Sequence, residues 1–168
     1  DRAIGSTWHP LIHGKRRELA IQQDETASVI FMIGEYLEAN QDDKNSVEHL
    51  FNTFVLPCAN WMAGFIDEQT GLPHASYDLW EEKFLTTTYT VCTVIAGLQA
   101  AAKLATTFDY PEEYTRWTKA AEGIKQNLDK LYHPDGYFRK GFLLLENGDL
   151  QYDDTIDISS LYGPFMFA

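Results

Sequence analysis

The sequence has only two cysteines, Cys58 and Cys92, and each falls inside an apolar run with helical spacing. Such thiols are expected to be buried as small hydrophobes, which argues against a disulfide-stapled fold or a cysteine-built metal centre. Basic residues are scarce as well: 13 Lys and Arg stand against 25 Asp and Glu, for a net charge of −12. A surface of that sign has no basic stripe for a polyanion, so neither nucleic acid nor an anionic membrane is expected as a partner. The five histidines, His9, His13, His49, His74 and His133, are scattered without metal-ligand spacing, so no metal and no cofactor is expected. Nor is there an apolar run of ~18 residues that would span a bilayer.

Also missing are an internal repeat, a low-complexity tract and a linker-like shift in composition, so residues 1–168 read as a single domain. The chain opens at Asp1 without an initiator Met and closes on the apolar stretch 161–168, which suggests a fragment of a larger catalytic domain. With no basic-then-apolar leader in view, the compartment stays open and the cytoplasm is favoured.

What is present is a core's worth of apolar residues, 45%, and a high aromatic share, 14%. Flat aromatic faces serve sugar clefts and protein cores alike. Hydrophobic periodicity predicts four long helices, over 24–40, 46–66, 84–107 and 111–132. The first carries the continuous run Val29-Ile30-Phe31-Met32-Ile33, which leaves no wet face and calls for cover on most sides. The second is a stripe, Val47, Leu50, Phe51, Phe54, Cys58, Trp61, Met62 and Phe65, with a kink expected at Pro57. The third is largely apolar, and the fourth starts at Pro111 and is striped again. Buried and striped helices thus alternate, as an inner ring wrapped by an outer ring requires. A hairpin is expected near 137–152 from the Asn147-Gly148 signal, and a fifth helix from about 155.

The chemistry concentrates in Gly71-Leu72-Pro73-His74-Ala75-Ser76-Tyr77-Asp78-Leu79-Trp80-Glu81-Glu82. Glycoside cleavage needs one protonated carboxylic acid, a second carboxylate on the other face of the ring, and aromatic surface. Asp78, Glu81 and Glu82 are candidates for the acid, and crowded negative charge beside the Trp80 indole is the kind of setting that raises a carboxyl pKa. A second reading stands beside this one: Asp78 caps a helix whose first turn holds Trp80, Glu81 and Glu82.

The run Ser76-Tyr77-Asp78-Leu79-Trp80-Glu81-Glu82, followed by Phe84 and a Thr-rich stretch, resembles the catalytic-acid segment of glycoside hydrolase family 15, the glucoamylase family. Residues 5–10, Gly-Ser-Thr-Trp-His-Pro, and the segment 153–161 resemble the same family, and the similarity runs nearly end to end. The resemblance implies an all-α fold, part of an (α/α)6 toroid with one small β-hairpin, and hydrolysis of α-linked glucosides with inversion. It assigns Glu81 as general acid, with Glu82, Trp80, Asp78 and Trp8 around the sugar. An upstream Arg-Asp pair and the downstream general-base Glu have no counterpart and are expected outside residues 1–168. Asp153, Asp154 and Asp157 are read as the start of a helix, where capping suits them better than acting as the base. The implied partner is an oligosaccharide or disaccharide. A trehalose- or dextran-acting member, or a non-catalytic sugar-binding or regulatory toroid, are the alternatives. Open flanks of an incomplete ring would be covered by more chain or by a homo-oligomer.

Overall fold

The computed structural model describes residues 21–168, together with the backbone of a short pairing between β1 (Ile12–His13) and β2 (Arg16–Arg17). Trp8 lies outside the described residues. The chain continues as α1 (Gln23–Ala39), α2 (Lys44–Leu50), a π-helical turn (Phe51–Val55), α3 (Leu56–Gly64), β3 (Ser76–Tyr77), β4 (Phe84–Thr87), α4 (Thr88–Thr107) and α5 (Pro111–Lys125). A 3₁₀ turn (Leu128–Leu131), β5 (Tyr132–His133), β6 (Tyr137–Phe138), β7 (Gly141–Leu144), β8 (Leu150–Asp153) and α6 (Ile158–Phe167) complete it. The protein is mostly helical with a small antiparallel sheet.

α4 is the centre. Fifteen of its positions, from Thr88 to Ala105, are buried, because α1 and α6 flank it while α5 and α3 pack behind. Small residues permit the α1 approach: a Cβ on Gly34 would sit 3.0 Å from the Ala100 Cβ, and one on Gly97 would meet the Ala27 carbonyl oxygen at 2.9 Å. The contact uses one side of α1 only. Ala27, Ile30 and Leu37 are buried, whereas Val29 and Met32 are exposed. The expectation of a helix covered on most sides is therefore corrected: Phe31 and Ile33 are only partly buried, Phe31 edge-on to Phe167 of α6, and Val29 and Met32 are left open. Behind α4, Phe51 gathers Phe108, Tyr110 and Trp117 into an aromatic cluster that joins α2–α3 to α5.

Pro57 acts differently from a simple kink. It has no N–H to donate and its ring crowds the carbonyl four residues back. The preceding turn widens instead, so that the Leu56 N–H reaches Phe51 O, and the helix runs on to Gly64. Of the two thiols, Cys92 is buried, which pushes its pKa up to about 12, while Cys58 is only half-buried.

The sheet order is β3-β4-β7-β8, all antiparallel. Residues 84–87, expected to begin a helix, form its second strand. Phe84-Leu85-Thr86-Thr87 is aromatic and β-branched, and partners are at hand on both sides. Helix α4 starts only after Thr87, whose Oγ1 accepts the Thr90 N–H at 3.2 Å. At β7, a Cβ on Gly141 would collide with the Thr86 carbonyl, so glycine is what lets the two strands approach. The fourth expected helix stops at Lys125, and its remainder folds as the 3₁₀ turn and β5. The Asn-Gly hairpin and the helix after it form as expected, the latter from Ile158. Among the described residues, no helix is long and apolar enough to cross a membrane and no cluster of metal-ligand side chains occurs.

Candidate active site

The β3–β4 connection carries every described residue that the sequence assigns to the site. It is a tight turn, not a helix start. The Asp78 N–H donates to Lys83 O (2.9 Å) and the Glu81 N–H to Asp78 O (2.8 Å). Asp78 Oδ1 accepts the backbone N–H groups of Glu82 and Lys83 at 2.8 and 3.0 Å. The Asp78 side chain therefore organises the turn's own backbone, which corrects the helix-capping reading. Glu81 sits at φ 59, the left-handed region that costs a residue with a Cβ roughly 1–2 kcal/mol.

The turn that carries it is braced by residues remote in sequence. Asp78 is 2% exposed, and its Oδ2 lies 2.7 Å from the buried ammonium of Lys140, which is also 3.4 Å from Asp157 Oδ2. Burial alone would lower the Lys140 pKa, but Asp78 and then Asp157 hold it above the ordinary value. Asp157 caps α6 by accepting the Ser159 N–H at 2.8 Å, and it also accepts the Trp80 indole N–H at 3.0–3.1 Å. Burial works to raise its carboxyl, yet the Ser159 bonds, Trp80 and the Lys140 charge bring it down to about 2. The chain Asp78–Lys140–Asp157–Trp80 thus ties the first half of the turn to the start of α6.

Trp80 remains 48% exposed. Its N–H edge is anchored while about half of the side chain is open to solvent, which suits a stacking platform. Glu81 is half-buried and Glu82 exposed. On the outer edge, Lys83 pairs with Asp153 of β8, and Arg139 pairs with Asp154 at 2.6 Å. Of the acids expected to open a helix, only Asp157 caps one; Asp153 and Asp154 are ion-pair partners.

Sequence reading missed Lys140 and Asp24. Lys140 follows Arg139 in a basic pair before Gly141, which gives no sign of burial until the sheet brings it under Asp78. Asp24, in the first turn of α1, is 2% exposed, and its Oδ1 has no hydrogen-bond partner among the described residues. Burial pushes its carboxyl up to about 6, against hydrogen bonds from the helix N-terminus and with help from Glu25 and Asp78. The start of α1 is tied to β3, since the Tyr77 N–H donates to Ile21 O (2.9 Å) and Gln23 Nε2 to His74 O (2.7 Å). The helix signal at 23–25 was visible; that it abuts the acidic turn was not.

A helical scaffold presenting an exposed indole and paired carboxylates on a braced turn has the makings of a sugar-cleaving site, and comparison with known families agrees. Glycosyl hydrolases family 15 matches residues 9–167, and the chain belongs to that family. Over 122 residues it is 28% identical to an uncharacterized glycosyl hydrolase of Methanocaldococcus jannaschii, covering 73% of this chain and 19% of that protein. The chain thus spans about a fifth of that curated relative.

Proposed function

We propose that the chain carries the catalytic-acid half of an inverting, glucoamylase-like α-glucosidase, with Glu81 as general acid. The observation that carries this reading is the backbone of Glu81. A non-glycine residue in the left-handed region persists only where its surroundings over-determine it, and such residues cluster at active sites. Here the turn, the buried ion pairs and the α6 cap supply that constraint. Glu81 would donate its proton to the glycosidic oxygen as the C–O bond breaks. Water, deprotonated by a carboxylate on the opposite face, would attack the anomeric carbon and invert it. Trp80 offers a stacking face and Glu82 a carboxylate for sugar hydroxyls, with Trp8 joining them and Asp78 acting through the turn it holds.

The base is assigned to residues outside 1–168. Asp78, Asp153 and Asp157 are each engaged by Lys140 or Lys83, and Asp24 beside the turn is 2% exposed and closed to an attacking water. A base needs a free carboxylate ~6.5–9.5 Å from the acid with water between them. The (α/α)6 toroid belongs to the same proposal. Helices α1 and α6 flank α4, and both leave large apolar residues exposed, among them Met32, Leu161 and Phe165, as they would at open sides of a ring.

The test is Glu81→Gln in the full-length protein, assayed on maltose, isomaltose and trehalose. Turnover of the preferred substrate should fall ~10²–10⁴-fold while binding survives. Near-normal turnover on all three would remove Glu81 from the acid role.

A further inference from the structure

A second aromatic surface lies along the end of α3 and the loop that follows it, where the catalytic proposal makes no use of it. Trp61 is 39% exposed and stacks on Phe65, with ring centroids 5.0 Å apart and planes 21° from parallel. Phe65 in turn lies 4.8 Å from the His74 ring. The backbone beneath is braced: the His74 N–H donates to Phe65 O (3.2 Å), the Asp67 N–H to Leu72 O (2.9 Å), and Ile66 pairs with Pro73. Asp67 Oδ1 accepts the N–H groups of Gln69 and Thr70, leaving Oδ2 to face His74 Nδ1 at 3.8 Å. Beside Phe65, Asp67 and His74 opens a cleft of about 340 Å³ that reaches Phe84, Thr86 and Phe142 of the sheet.

The chemistry selects the ligand. A fixed, flat, half-exposed indole suits the C–H face of a neutral ring, while a carboxylate and an imidazole at its rim suit hydroxyl groups. The cleft falls within the ~300–1,000 Å³ usual for small-molecule sites. A phosphate or an acidic peptide would instead want basic groups, and His74 stands here next to a carboxylate.

We propose that Trp61, Phe65, Asp67 and His74 form a secondary binding site for an α-linked glucan chain, in addition to the Glu81 turn. The proposal rests on the reading of the substrate as an α-glucoside. Its role is to hold long chains, so it matters for polymers and not for disaccharides.

The probe is β-cyclodextrin, a closed ring of α-linked glucose without a chain end, titrated calorimetrically into the full-length protein. Trp61→Leu should weaken binding about tenfold, the order expected for one lost stacking contact. Trp61→Tyr, which keeps a flat ring, should retain it, and hydrolysis of maltose should be unchanged in both. Equal affinity in parent and Trp61→Leu, or no binding by the parent, overturns the proposal. So does a Trp61→Leu defect that falls equally on maltose, since that reports general structural damage. The titration does not depend on Glu81, so a failed acid assignment and a failed secondary site give separate results.

Discussion

Two hairpins of one sheet make opposite use of the left-handed backbone. The β7–β8 turn is held chiefly by its own residues: Gly148 takes φ 87, and Asn147 closes the turn with bonds to the Asp149 N–H and carboxylate at 3.1 and 2.7 Å, to which Gln69 Nε2 adds one exposed bond to Gly148 O at 2.6 Å. Glycine adopts that region freely. The β3–β4 turn puts Glu81 at φ 59, where glycine would be easier, and offsets the strain with buried charge drawn from Lys140, just before β7, and from the α6 cap. One turn is chiefly local chemistry with exposed bonds; the other is braced by buried charges from distant parts of the chain.

The largest effect should come from removing the imposed support. Lys140→Met leaves Asp78 and Asp157 facing each other without a cation. Breaking a buried pair in that way costs ~3–5 kcal/mol. Asn147→Ala removes exposed bonds within the other turn and should cost at most about 1 kcal/mol. Urea unfolding of the full-length variants measures both, and equal losses would show that the two turns are held alike.

This contrast explains what was legible. Asn147-Gly148 announces its hairpin, Pro111 announces α5, and the periodic runs place α1 and α4 within a few residues, because each signal acts over one or two turns. The motif Trp80-Glu81-Glu82 marks the site by residue type and gives no hint of its backbone. Lys140 and Asp157 approach Asp78 only after the sheet and α6 have formed, so no local pattern distinguishes a strained turn from a helix start there. The strand at Phe84–Thr87 was lost for the same reason: its partners in β7 lie far along the chain. Helix α1 shows the limit of periodicity, since an all-apolar run states a need for cover without saying what provides it.

The next effect concerns the floor of the site turn. Asp24 titrates from the ordinary 3.8 up to about 6 in the folded protein. The folded state therefore binds this proton more tightly than the unfolded chain. Its contribution to stability is fully present below pH ~4, falls between ~4 and ~6, and is gone above, a change of about 3 kcal/mol. Asp24→Asn stays neutral throughout. Parent and variant compared at pH 4 and pH 7 should differ by that slope, which is read as a difference so that the opposite contributions of Asp153 and Asp157 cancel. A stability difference that does not change with pH would mean the Asp24 carboxyl is not buried against Glu25 and Asp78.

The smallest effect tests the backbone contrast itself, by comparing glycine with alanine at each turn. At position 81 both replacements remove the carboxylate and its contacts, so the difference between Glu81→Gly and Glu81→Ala isolates the cost of a Cβ at φ 59. Glycine should be the more stable by roughly 1 kcal/mol, the low end of the left-handed penalty, because greater freedom in the unfolded chain offsets part of the gain. Both variants should lose the hydrolytic activity proposed for Glu81. At position 148 the native residue is already glycine, and a Cβ there would meet only the end of the Gln69 side chain, 3.2 Å from its Nε2. Moving that side chain gives up its exposed hydrogen bond to Gly148 O, so Gly148→Ala should cost roughly 1–2 kcal/mol, backbone strain and the lost bond together. Thermal unfolding of the Gly and Ala versions at both positions decides it. Alanine equal to or better than glycine at 81, with the expected loss at 148, would show that the turn relaxes once the acid is gone. The left-handed backbone would then be held by Glu81's own side-chain contacts and not by Asp78, Lys140 and Asp157.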